Sequence, residues 1–108
     1  MRDNNPGNDQ AKKHFIIKLI PPRPTFHLDM SEDERYTMKQ HAVYWNSLVD
    51  KGVVIVFGPV LDPRGIYGLG IMEVKTEHQA RAFIADDPAV KSGLVEMEIY
   101  TILATTRK

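Results

Sequence analysis

The sequence predicts an α+β domain in which two helices cover one face of a four-stranded antiparallel sheet. Three observations predict it: four apolar segments of strand length, two segments with helical spacing, and their order along the chain, strand-helix-strand-strand-helix-strand. The chain has 108 residues, 43% of them hydrophobic, which is enough for one domain with its own core. We expect residues 1–12 to form a flexible N-terminal tail, because they lack apolar periodicity, and residues 13–108 to form the domain.

The first strand and the first helix both have clear boundary signals. Residues 14–20 are rich in β-branched and aromatic side chains, and the proline-rich stretch 21–24 ends the strand in a stiff loop. Ser31 and Glu34 have the spacing of a capping box, which predicts the start of a helix. Gly52 is suited to the left-handed stop, so this helix should run to about residue 51.

The second half of the chain repeats the alternation of strands and helices. Residues 53–57 are a continuous apolar run typical of a buried strand, and a tight turn at 62–65 leads to a third strand at 69–75. Residues 76–79 again have capping-box spacing, and the short helix that they begin must end before Pro88. A single helical turn to Gly93 precedes a last strand at 94–103, which completes a ferredoxin-like βαββαβ order.

Both faces of the predicted sheet carry apolar side chains. In the first strand Ile16 and Ile20 point away from the face on which Phe15, Ile17 and Leu19 lie. In the second strand Val54 and Val56 lie on the face opposite Val53, Ile55 and Phe57. A monomer seldom exposes such a patch, so we expect a face-to-face homodimer built by Val54, Val56 or their neighbours, and the sequence leaves open which of the two faces meets the partner. The alternative is that the N-terminal tail covers the sheet, although the tail offers little apolar surface.

Composition excludes several classes of partner and chemistry. Fourteen basic residues balance fourteen acidic ones, so no positive field favours nucleic acid or a membrane surface. The chain has no cysteine, no signal-peptide pattern and no membrane-spanning segment, and we expect a cytoplasmic protein. Its four histidines lack the spacing of metal ligands, so we expect neither a metal nor another cofactor.

Two residues are the best candidates for chemistry. His41 lies on the apolar face of the first helix, where it is either a core histidine bonded to a backbone carbonyl or a base held in an apolar pocket. Asp87 precedes Pro88, where it either caps the following turn or faces His41 and orients the imidazole. The sequence alone leaves these alternatives open.

An ordered series of residues extends along most of the chain. The series consists of Met38 to His41, Tyr44-Trp45, Gly52, Phe57-Gly58-Pro59, Asp62-Pro63, Gly65, Asp86 to Val90, and Gly93. It resembles the YCII-related family over roughly residues 13–103, although the polar tail and the loop at 21–26 depart from the shorter members. The resemblance implies a ferredoxin-like dimer and an enzyme, in a superfamily that includes muconolactone isomerases and small monooxygenases, with one related branch removing chloride from a chlorinated aromatic diol.

The family's histidine-aspartate pair falls on His41 and Asp87 of this sequence. We therefore hypothesise a cofactor-independent lyase or isomerase, dehydrochlorinase-like in one form, in which His41 moves a proton of a small organic, partly apolar and aromatic substrate. The alternative is a non-catalytic module that binds a small ligand or a protein through the same pocket. The expected substrate contacts are Met38, Trp45, Phe57, Gly58 and Pro59.

Overall fold

The computed structural model describes residues 11–107, and the expected tail therefore lies outside the described residues except for Ala11 and Lys12, which are exposed. Four strands and four helices form in this part of the chain. The strands are β1 (Lys13–Ile20), β2 (Val54–Val60), β3 (Tyr67–Val74) and β4 (Glu96–Ile102). The helices are α1 (Phe26–Asp29), α2 (Glu32–Asp50), α3 (Glu77–Ala85) and α4 (Pro88–Lys91).

The strands form one antiparallel sheet in the order β2-β3-β1-β4. β1 is central, so Phe15 pairs with Met72 of β3, and Ile17 pairs with Ile99 of β4. Phe15, Ile17 and Met72 are buried in a core that Trp45 and Leu48 of α2 complete. The predicted ferredoxin-like α+β fold is confirmed.

Helix α2 begins and ends where the sequence predicts. The backbone amide of Glu34 donates to Ser31 Oγ at 3.1 Å, and the amide of Ser31 donates to Glu34 Oε1 at 2.8 Å, which completes the capping box. Gly52 follows the helix with a φ of +78°, a left-handed conformation that glycine adopts without strain. The start of α2 fixes which of its residues face the sheet, among them Trp45 and Leu48.

Two local features differ from the expectation. The loop after the prolines contains the short helix α1, in which Phe26 is buried and Thr25 Oγ1 donates to Asp29 Oδ2 at 2.6 Å. The second capping box forms only in half. Thr76 caps the amide of Gln79, but the Gln79 side chain accepts from the amide of Lys75.

Strand β2 corrects the predicted assignment of its side chains. It continues through Gly58 and Pro59 to Val60, and a β-bulge lies between Val54 and Val56. Val54 is therefore only 2% exposed beneath the helices, whereas Ile55 and Val56 are 50% and 58% exposed. The prediction that Val54 and Val56 lie on the same face of the sheet is wrong, because the bulge shifts the alternation by one residue.

The face of the sheet opposite α2 and α3, which we call the open sheet face, has an apolar centre. Strand register places Ile16, Ile71 and Val56 side by side there. Its margins are polar: His14 lies 2.9 Å from Glu73, and β4 contributes exposed glutamates at 96 and 98.

None of the helices within residues 11–107 is long and apolar enough to cross a membrane.

Candidate functional site

A cavity of about 310 Å³ lies between α2, the sheet and the segment at residues 21–30, which we call the lid segment. This volume is at the lower end of the range for small-molecule sites. The lining residues come mainly from the sheet, from α2 and from the lid segment. It consists of Ile17, Leu19, Pro21, Phe26, His27, Met30, Met38, His41, Ala42, Trp45, Phe57, Gly58, Pro59, Ile66, Tyr67, Gly68, Leu69, Gly70 and Met97.

His41 reaches the cavity from the middle of α2. Its side chain is 12% exposed, and its Nδ1 lies 2.7 Å from Asp87 Oδ2. Trp45, one helical turn further on, has its ring centroid 6.0 Å from that of the imidazole. The partner of His41 is therefore a carboxylate and not the backbone carbonyl of the alternative interpretation.

Asp87 is fully buried and accepts three hydrogen bonds. Trp45 Nε1 donates to Oδ2 at 2.7 Å, beside the bond with His41, and the amide of Ala89 donates to Oδ1 at 2.8 Å. The last contact caps α4, so Asp87 both caps the turn and faces His41. Pro88 favours the extended backbone that places the carboxyl there.

The same contacts determine the charge of Asp87. Burial alone raises the pKa of a carboxyl group, but the hydrogen bonds from His41 and Trp45, with the charge of His41 and the bond from Ala89, outweigh it. The pKa of Asp87 is therefore below its usual value, and the group is ionised at neutral pH.

An ionised Asp87 also determines the tautomer of His41. A carboxylate only accepts hydrogen bonds, so Nδ1 of His41 must carry the proton, and in the neutral ring Nε2 carries the lone pair. Within residues 11–107 the structure gives Nε2 no hydrogen-bond partner. His41 can therefore accept a proton at Nε2, and Asp87 stabilises the cation that forms.

The lid segment is held to α2 by an arginine. Arg23 donates to both carboxylate oxygens of Glu34, at 2.7 and 2.9 Å, and to Asp29 Oδ1 at 2.8 Å. The hydrogen bonds from Arg23 are the main cause that lowers the pKa of Glu34 to about 2, so this contact persists at neutral pH. The lid segment thereby keeps Phe26 buried at the cavity wall.

Gly70 of β3 lets α2 approach the sheet, and Gly68 of the same strand makes room for Leu19 of β1. A Cβ atom on Gly70 would lie 2.8 Å from Cζ3 of Trp45, and one on Gly68 would lie 2.9 Å from Cβ of Leu19. The Trp45 and Phe57 rings meet above Gly70 with centroids 5.8 Å apart. The cavity wall is thus made of aromatic surface and bare backbone.

The structure places all five expected substrate contacts, Met38, Trp45, Phe57, Gly58 and Pro59, on the wall of this cavity. Their role in binding remains a prediction. Sequence reasoning missed the contribution of the lid segment, namely Phe26, His27 and Met30. The sequence did contain a signal for this helical turn. Thr25 and Asp29 stand four residues apart on either side of Phe26, a spacing that suits one turn of helix.

The wall of this cavity is uncharged, and the described residues form no cluster of metal ligands. The residues that line the cavity in the described part of the chain include no Asp, Glu, Lys or Arg. Within the same range no three His, Asp or Glu side chains come together as metal ligands would. The site offers proton transfer and apolar contact.

Comparison with known proteins agrees with this architecture. The sequence model of the YCII-related domain matches residues 15–103. The chain belongs to the YCII-related family. A search of curated proteins found no match.

A solved structure has the same fold as this YCII-related domain. It is the 5-chloro-2-hydroxyhydroquinone dehydrochlorinase from Burkholderia phenoliruptrix AC1100, in complex with 2,5-dihydroxybenzoquinone. The TM-score is 0.61 with 21% identity, over 81% of this chain and 90% of the other. At this identity the likeness concerns the fold.

Proposed function

We propose that this YCII-related domain is a cofactor-independent enzyme that moves a proton of a small, partly apolar organic substrate. The observation that carries the proposal is the 2.7 Å contact between His41 Nδ1 and Asp87 Oδ2 at the wall of an apolar cavity. His41 is the base, and Asp87 fixes its tautomer and balances its charge. Met38, Trp45, Phe57, Gly58 and Pro59 contact the apolar part of the substrate.

Lyase or isomerase chemistry suits these groups best. A residue that moves protons is sufficient to eliminate HCl from a chlorinated trihydroxybenzene. One hydroxyl proton moves to the ring carbon that carries chlorine and forms a C–H bond there, and a second hydroxyl proton goes to the base. Chloride then leaves with the electron pair of the C–Cl bond, and the ring becomes a hydroxyquinone without an external oxidant. The dehydrochlorinase of the same fold supports the choice of such a compound as the first test substrate. Positioned acid-base catalysis typically contributes about 10²–10⁴-fold.

The direct test measures chloride release from 5-chloro-2-hydroxyhydroquinone under anaerobic conditions. We expect the wild-type chain to accelerate release and His41→Ala to lower kcat/KM by about 10²-fold or more, because the proton acceptor is lost. His78→Ala is the matched control, since His78 is exposed on α3 and does not line the cavity. Equal rates for the two variants would contradict the proposal.

The alternative is a non-catalytic binding module that uses the same cavity. Ligands that bind only the folded state raise its thermal stability, so a thermal-shift screen of small ring compounds detects binding without a reaction assay. Stabilisation that depends on His41, with no turnover of any stabilising compound, would favour the module over the enzyme.

We also propose that the protein acts as a homodimer that pairs its open sheet faces. Support comes from the exposed apolar side chains of β2 and from the apolar centre at Ile16 and Ile71. The cytoplasmic location expected from composition stays a prediction.

A further inference from the structure

The cavity contains a second histidine, on a different element from the first. His27 lies on α1 in the lid segment, at the exposed side of the cavity, and His41 lies on α2. Unlike His41, His27 has no side-chain hydrogen bond or ion pair within the described residues 11–107. Both of its ring nitrogens are therefore available to a bound molecule.

The backbone of His27 is nevertheless held in place. The preceding residue, Phe26, is buried, and the guanidinium of Arg23 lies 5.3 Å from the centroid of its ring. Two residues after His27, Asp29 accepts from Arg23 Nε and from Thr25 Oγ1. The position of the His27 backbone is thus fixed, while its imidazole has no side-chain partner within residues 11–107.

The rest of the cavity offers a ligand few side-chain hydrogen bonds. Its wall is mostly aliphatic, aromatic or glycine. Tyr67 also lines the cavity, but its ring lies 4.7 Å from Nζ of Lys18, which is not a lining residue. A polar ligand group buried without a hydrogen bond is costly. If His41 serves one polar group of a ligand, the imidazole of His27 can serve a second.

We infer that His27 is a specificity-determining residue that binds a second polar group of the substrate, one that His41 does not contact. The preferred ligand is then an uncharged planar ring with polar atoms at two positions, its faces packed against Trp45 and Phe57. This inference rests on the proposed function, since it adds a contact to the same site.

The test compares two probes that differ by one hydroxyl group, hydroquinone and phenol, by NMR titration of the full chain. We expect His27→Ala to weaken hydroquinone binding about three- to tenfold and phenol binding less than twofold, because only hydroquinone loses a hydrogen bond. His27→Gln retains a donor and should restore part of the affinity. His78→Ala should bind both probes as the wild type does, and unchanged melting temperatures show that the variants are folded.

The outcomes separate this inference from the proposed function. Unchanged hydroquinone affinity in His27→Ala, or equal losses for the two probes, would overturn the role of His27 even where His41→Ala abolishes turnover. Failure of the wild-type chain to bind hydroquinone more tightly than phenol would overturn it as well. Selective loss in His27→Ala together with full turnover in His41→Ala would retain the contact and reject the proposed function.

Discussion

Asp87 combines a structural and a chemical role in one carboxylate. It joins three parts of the chain, because its donors are the imidazole of His41, the indole of Trp45 and the amide that begins α4. A buried carboxylate with three donors is stabilised as the anion, although burial alone would favour the acid. Its charge therefore contributes to the stability of the fold as well as to the orientation of His41.

The stability of the protein should depend on the ionisation of Asp87. The pKa of this group is lower in the folded chain than in the unfolded chain, so the unfolded state binds the proton first as the pH falls. The contribution is complete at neutral pH, above the unfolded value of about 4, and is lost as the pH falls from there through the folded value. Urea unfolding of Asp87→Asn should therefore give a free energy lower by about 1–3 kcal/mol at pH 7 and a smaller further loss at pH 3 than the wild type.

Asp86→Asn is the control for this measurement. Asp86 is the adjacent residue, but it is exposed, and its carboxylate lies 4.0 Å from Nζ of Lys91. Its substitution should leave both the free energy of unfolding and its pH dependence close to those of the wild type. Parallel pH profiles for Asp87→Asn and the wild type would mean that the Asp87 charge contributes nothing to folding.

At the scale of elements, the approach of α2 to β3 controls the size of the cavity. Trp45 of α2 lies against Gly70 and occupies the space that a side chain at this position of the strand would need. Strand glycines usually weaken a sheet, but here the bare backbone accommodates an indole ring.

Gly70→Ala tests this contact. The added methyl group would meet Cζ3 of Trp45 at 2.8 Å, so the indole must move, and we expect a loss of about 1–3 kcal/mol in the free energy of unfolding together with weaker phenol binding. Gly58→Ala, at another glycine of the cavity wall, is the control for the free energy of unfolding, because its Cβ would meet nothing within 4 Å. Equal stability of the two variants would show that the indole moves aside at no cost.

The elements also show what the sequence could and could not predict. The start of α2 followed from Ser31 and Glu34, and the position of His41 on its inner face followed from helical spacing. The contact of His41 with Asp87 joins residues that are 46 positions apart in the sequence. Such a contact depends on how the elements pack and not on a local sequence pattern. The bulge at Ile55 was missed because every residue of the run at 53–57 is apolar. Each possible register of such a strand buries apolar side chains, so the sequence does not show which residues face the helices.

At the scale of the whole molecule, the open sheet face is the main surface that the helices leave uncovered. Ile16 and Ile71 occupy its centre, Val56 extends it along β2, and glutamates of β4 lie at its margin. A second copy of this chain offers an apolar surface of the same kind, and two-fold symmetry would pair the two faces.

Val56→Asp should prevent this pairing. Val56 is exposed in the described chain, so a carboxylate costs the monomer little, whereas in the pair it would be buried without a partner. We expect sedimentation analysis to find a dimer for the wild type and a monomer for the variant. Val43→Asp, a substitution at an exposed valine of α2, should remain dimeric. A wild-type chain that sediments as a monomer would refute the proposed dimer.

In β2, Phe57 on the cavity wall directly follows Val56 on the open sheet face. One peptide unit thus joins the surface proposed for self-association to the surface proposed for ligand binding. Thermodynamic linkage requires that any effect of association on ligand affinity be matched by an equal effect of ligand on association. The concentration of the protein is therefore a variable that every binding experiment on this chain must hold fixed.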